Sequence, residues 1–129
     1  MAAAAAEMLI LNLLDEEAEL RQWVEANPGR INDRDSRSGL TPLLTAIIHI
    51  DSVSLVVWLL DEKGADVNAC TGGWKSALHY AFFLDIFIAL LDRGADPILA
   101  AGHCEPPLMS QAQYGTVDNV AHLLQDPRV

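Results

Sequence analysis

Thr41–Asn68 reads TPLLTAIIHIDSVSLVVWLLDEKGADVN. Thr41 places a hydroxyl where a helix start has orphan amide hydrogens, and Pro42 suits the first helical position. Leu43, Ala46 and Ile47 give the helix an apolar stripe. A polar break around Asp51 to Ser54 precedes a second helix, Leu55 to Leu60, with Val56, Leu59 and Leu60 at helical spacing. Two helices within ~20 residues form an antiparallel hairpin. Gly64 then supplies a residue that tolerates the left-handed backbone of a helix exit, so the spacing predicts a stop at Lys63 or nearby.

The same grammar returns twice. SALHYA from Ser76 replaces TPLLTA, LDIFIALLD replaces the second helix, and Gly94-Ala95-Asp96 replaces Gly64-Ala65-Asp66, 94 − 64 = 30 residues later. A third copy opens at Pro106 with PPLMSQAQYGTVDNVAHLLQD, where Leu108, Ala112, Gly115, Val117, Val120, Leu123 and Leu124 take the core and turn positions. In these residues the chain resembles the ankyrin repeat family, whose unit of about 33 residues pairs a β-turn finger with two helices. The resemblance implies an all-α ankyrin-repeat solenoid of helix-turn-helix units with short β-turn fingers, about four repeats in one domain. The expected division is residues 1–33 as a degenerate N-terminal cap, 34–68, a shortened repeat at 69–98, and 99–129 as the C-terminal repeat.

The chain has 129 residues, 51% of them apolar, which suffices for a core continuous along a stack. Eighteen acidic against eight basic side chains give a net charge of −10. That balance repels phosphate backbones and argues against nucleic acid as a ligand. Cys70 and Cys104 do not resemble a disulfide framework, so a reducing compartment, cytoplasm or nucleus, is expected. The N-terminal MAAAAAEMLILNLLDEE has no basic region before its apolar part, and Glu7 and Asn12 interrupt that part far short of a membrane span. It reads as a worn first helix. Asp15 then begins a second helix with acids in its first turn, an apolar set of Ala18, Leu20, Trp23 and Val24, and Pro28-Gly29 as its stop. Glu16, Glu17, Glu19, Arg21 and Glu25 supply the wet outer face of a cap.

The repeats are irregular. Thr41 to Gly64 spans two positions more than the family spacing, and the surplus is expected at Ile50 to Ser54. Ser76 to Gly94 falls three short, which predicts a first helix of little more than one turn, Ala77 to Phe82, before Leu84 opens the next. A shortened first helix also occurs in one repeat of the cyclin-dependent kinase inhibitors built from four ankyrin repeats. In the last repeat Pro106 replaces the capping hydroxyl, so this end should be softer.

A search for chemistry yields little. There is no GxSxG, HExxH, phosphate loop or CxxC. His79 stands where the family uses a histidine for local hydrogen bonds between neighbouring repeats. His49 and His122 fall on helices without a partner, and Cys70 with His103 and Cys104 matches no zinc spacing. No catalytic residue, metal or other cofactor is expected, and binding remains.

The family's finger and inner-helix positions map here onto Arg37, Leu40, Trp74, Lys75, Tyr80, His103, Glu105, Gln113 and Tyr114. The expected function is therefore a non-catalytic protein-interaction module or adaptor. Its acidity favours a basic or mixed-charge protein partner, and no membrane is involved. The alternative is a stoichiometric inhibitor of an enzyme such as a protein kinase. Trp74 stands out because it sits where the family usually has a glycine: it either anchors a partner or folds back over Phe82 and Phe83. Aligning the second helices places Trp58, Ile88 and Ala121 at the position that usually faces solvent, an apolar stripe that could dock a partner or another copy of an otherwise monomeric chain.

Overall fold

The computed structural model describes residues 16–71, 75–97 and 106–128, with the backbone alone at Leu108 and Tyr114. The expected helix over residues 3–14 lies outside them. The described chain is helical and has no strand, and it forms two compact units, 1–66 and 67–129.

In the first unit, α1 covers Glu16–Ala26 and buries Leu20, Trp23 and Val24. Ala18, expected among that set, is exposed. Pro28-Gly29 ends α1 as read, in a 3-10 turn over Pro28–Arg30. The finger that follows is organised by Asp35, 2% exposed, whose Oδ1 accepts from the amides of Arg37 (2.7 Å) and Ser38 (3.2 Å).

Thr41 and Pro42 then behave as their chemistry dictates: Thr41 Oγ1 accepts from Leu44 N at 3.3 Å, and α2, Pro42–Thr45, begins at the proline. The helix does not stay α. Ala46–Ile50 widen into a π turn that ends on Asp51 at φ 60°. The surplus expected at Ile50 to Ser54 is thus absorbed a turn earlier. An extra residue inside a helix is accommodated by i→i+5 bonding, here Asp51 N to Ala46 O at 2.9 Å. Ser52 caps α3, Val53–Asp61, through Leu55 N.

In the second unit the residues on either side of the finger meet in an isolated antiparallel bridge, Cys70 with Ser76. The first helix is short, as expected, but stops two residues before the expected Phe82: α4 covers only Ala77–Tyr80, and α5, Leu84–Asp92, follows. His79, 1% exposed, closes a capping box, its Nδ1 2.9 Å from Ser76 N and 3.1 Å from Ser76 Oγ. These two bonds lie within one repeat, whereas the resemblance implied bonds between neighbouring repeats. The last pair is α6, Pro107–Tyr114, and α7, Val117–Gln125. No side chain caps α6 at Pro106, as expected, whereas Thr116 caps α7 through Asn119 N.

The two glycine exits differ. Gly94, at φ +91°, places Gly94 N on Leu91 O (3.2 Å) and Ala95 N on Leu90 O (3.0 Å), the paired bonds of a Schellman end. After α3 the corresponding amide, Ala65 N, reaches back one residue further, to Leu59 O at 3.0 Å. Leu59 therefore corresponds to Leu90, and Trp58 to Ala89 rather than to Ile88. The outward stripe expected from aligning the second helices is off by one residue at Trp58, because the first exit loop holds one residue more. Trp58 is also covered: the Arg21 guanidinium lies 4.8 Å and the Lys63 ammonium 5.1 Å from its ring centroid.

In this register Leu59, Leu90 and Leu123 are each fully buried. Leu55 and Ile86 are followed by Asn119, also fully buried. Val117 and Leu124, expected in the core of the last repeat, are 85% and 59% exposed, and Ala112 is exposed too. Among the described side chains of this repeat, those buried are Pro107, Leu123 and the polar Ser110, Gln111 and Asn119.

Candidate protein-binding surface

Four of the nine mapped positions have described side chains open to solvent in whole or part. Arg37 is exposed in the first finger, while its backbone amide is held by Asp35. In the second finger, Lys75 is half-buried and its backbone is clamped to Thr71 in both directions: Thr71 N donates to Lys75 O at 2.9 Å, and Lys75 N to Thr71 Oγ1 at 3.4 Å. Tyr80 is half-buried at the end of α4, and Gln113 is exposed on α6. Because α4 packs on α6, the helices carrying Tyr80 and Gln113 lie side by side in the second unit.

Leu40 does not join them. It is only 8% exposed, and Asp35 N bonds its carbonyl at 2.9 Å, so it closes the finger onto the core instead of facing a partner. Trp74, His103 and Glu105 lie outside the described residues, as does the side chain of Tyr114. His103 and Cys104, weighed as metal ligands, lie outside them too. Cys70 is half-buried, with its thiol donating to Asn68 O at 3.5 Å.

What holds the second-unit part of this surface rigid was not read from the sequence. Stopping α4 at Tyr80 leaves carbonyls that a longer helix would satisfy internally. Gln111 Nε2 donates to Leu78 O (2.7 Å) and Ala81 O (3.0 Å), and Asn119 Nδ2 reaches Ala81 O and Phe82 O, both at 3.0 Å. Side chains of the last helix pair thus replace the missing turn of the preceding one. The signal was present as two polar residues in helical positions that an apolar pattern would fill. In the first unit a side chain holds the exit loop: Asn32 Oδ1 accepts from Asp66 N at 2.7 Å. Asn68 and Asp96 repeat that bond at 2.8 Å in the second unit.

Helix pairs joined by hairpin fingers and left-handed glycine exits define an ankyrin-repeat fold. Residues 38–72 match the family model described as the ankyrin repeat. Among solved structures, the ankyrin repeat domain of Bcl-3, described as a unique member of the IkappaB protein family, superposes with a TM-score of 0.67 at 30% identity. The match covers 87% of this chain and 51% of that one, so the chain spans about half of the domain it resembles. The resemblance read from TPLL and the glycine exits therefore stands.

Among curated proteins, the pre-rRNA-processing protein IPI1 of Pyricularia oryzae is 38% identical over 65 residues, covering 50% of this chain and 16% of that protein. Its counterpart from Aspergillus clavatus is 42% identical over 43 residues, 33% of this chain and 12% of that one. Ankyrin repeats generally mediate protein–protein interaction, as non-catalytic modules. Among the described residues, no helix is long and apolar enough to cross a membrane, and no group of three or more His, Cys, Asp or Glu side chains could hold a metal ion.

Proposed function

We propose that this chain is a non-catalytic interaction module that binds a partner protein through its fingers and first helices. The observation that carries the reading is the anchoring of Arg37, Lys75 and Tyr80. Each offers a side chain open in whole or part to solvent on a backbone already fixed by Asp35, by Thr71 or by the Ser76–His79 capping box. Side chains on pre-ordered backbone bind at reduced conformational cost. Gln113 extends the set, and Trp74, His103, Glu105 and Tyr114 belong to it by their family positions. The net charge of −10 favours a basic or mixed-charge partner.

A cytoplasmic or nuclear location goes with this reading. It is supported by the names of the fungal relatives, since pre-rRNA is processed in the nucleus. The domain division at 33, 68 and 98, and a monomeric state, are parts of the same proposal.

The test is capture of partners by the intact chain beside a Trp74→Ala variant and an Arg37→Ala/Lys75→Ala variant, each checked for an unchanged melting temperature. Partners lost from the variants support the finger surface, and the same partners in all three contradict it. Adding the purified partner's own activity assay separates an adaptor from an inhibitor: an adaptor leaves turnover unchanged.

A further inference from the structure

Within the second unit, α5 turns Leu84, Ile88 and Leu91 toward α7, at i, i+4 and i+7. On the facing side α7 supplies Ala121 and the polar Asp118, His122 and Gln125. Small and polar residues against a leucine-isoleucine stripe do not fill the space. Two open depressions of about 220 Å³ and 180 Å³ remain, adjoining at His122 and Gln125. Leu84, Ile88 and Leu91 are all half-buried, so the floor is apolar and still reachable.

The ends of this trough are acidic. Asp118 lies beside Leu84 at one end, and Asp92 and Asp126 lie beside Leu91 at the other. Asp126 is taken by Arg128, whose Nη2 stands 2.7 Å from Oδ2, whereas Asp92 and Asp118 are exposed. Leu84 to Leu91 spans two helical turns, roughly 10 Å. An occupant that matches must carry an apolar stripe of about that length with a positive charge at each end.

The geometry points to a second docking site in this trough, for a basic amphipathic helix whose apolar side chains seat on Ile88 and Leu91 and whose flanking lysines or arginines pair with Asp92 and Asp118. This site lies on the second helices of the repeats, apart from the fingers and first helices of the proposed partner surface. The carboxylates set specificity and encounter rate more than total affinity, so binding weakens as salt rises.

Two synthetic helical peptides of about four turns decide it. Both carry the same leucine stripe, one flanked by lysine and the other by glutamate. Each is titrated into the isotope-labelled full chain and followed by backbone amide chemical shifts. The expected result is that the lysine peptide alone binds, with shifts concentrated at Ile88, Leu91, Ala121 and Gln125. Its affinity should fall several-fold in Asp92→Asn/Asp118→Asn. Shifts centred on Tyr80 and Gln113, equal binding of both peptides, or no binding would overturn the proposal. So would shifts at α5 and α7 that follow chain concentration without peptide, which would make a second copy the occupant. If the double variant melts early, the contrast between the peptides on the unaltered chain still decides.

Discussion

Asn119 Nδ2 stands 2.9 Å from Gln111 Oε1, joining the two side chains that together satisfy the end of α4. Both are fully buried, and their targets lie 30 or more residues away in sequence. Removing Gln111 leaves the Leu78 carbonyl buried without this donor, a loss of about 1–3 kcal/mol. Gln111→Ala should lower the unfolding free energy measured by urea denaturation by that amount. Asn119→Ala should cost a similar amount, and the double variant less than the sum, because the pair shares the Ala81 carbonyl. Strict additivity would mean that the network is not a unit.

Two glycines should respond in the reverse order to what backbone angle alone suggests. Gly94 has φ +91° but open space around an added Cβ, so Gly94→Ala costs only its left-handed conformational penalty, about 1–2 kcal/mol. Gly115 has an ordinary φ of −87°, yet a Cβ there collides with the Gln111 side chain and comes within 2.7 Å of the Gln111 carbonyl. Gly115→Ala must displace Gln111, and should cost the more of the two, about 2–3 kcal/mol. Thermal denaturation of the pair checks the order.

Pro106→Thr should stabilise the chain by about 1 kcal/mol. It recreates the Thr41-Pro42 start, because Pro107 already occupies the first position of α6 and Pro106 sits at φ −66° and ψ 156°, angles open to threonine. The gain should appear as slower amide exchange in α6, and an unchanged rate there would contradict it.

The Arg128 side chain, hydrogen-bonded to Asp126, holds the Asp126 carboxyl at about 2 against an ordinary 3.8, with Arg128 N adding a second bond. A carboxyl lowered in the fold stabilises it above the unfolded value. The contribution is therefore present above about pH 4 and lost as the pH falls through about 2. Solvent screens a pair at the surface, so its worth is under about 1 kcal/mol. Denaturation curves of Asp126→Ala and the unaltered chain should differ slightly at pH 7 and converge near pH 2.

The parts of this fold that were legible in the sequence obey local rules. Thr41 with Pro42, the shortened helix before Leu84, and Gly64 and Gly94 each act through backbone chemistry within a few residues. What was not legible depends on length bookkeeping or distant contacts. Aligning the second helices by pattern does not show that the first exit loop is one residue longer, and so pairs Trp58 with Ile88 instead of its counterpart Ala89. The surplus before Asp51 looked like loop because nothing in IIHI announces a π turn. Of the positions proposed for binding, the family pattern placed Arg37, Lys75, Tyr80 and Gln113 on wholly or partly exposed surface but also included Leu40, whose fate depended on how Asp35 folds the finger. Gln111 and Asn119 were visible only as polar residues in helical positions, and their partners lie across the chain.

The central claim is that partner binding runs through the fingers and first helices. Amide hydrogen exchange of the full chain, free and bound to a captured partner, tests it most directly. Added protection is expected around Arg37, from Lys75 to Tyr80 and at Gln113, with α3 unchanged. Protection confined to α3, α5 and α7, with the fingers exchanging as in the free chain, would contradict it.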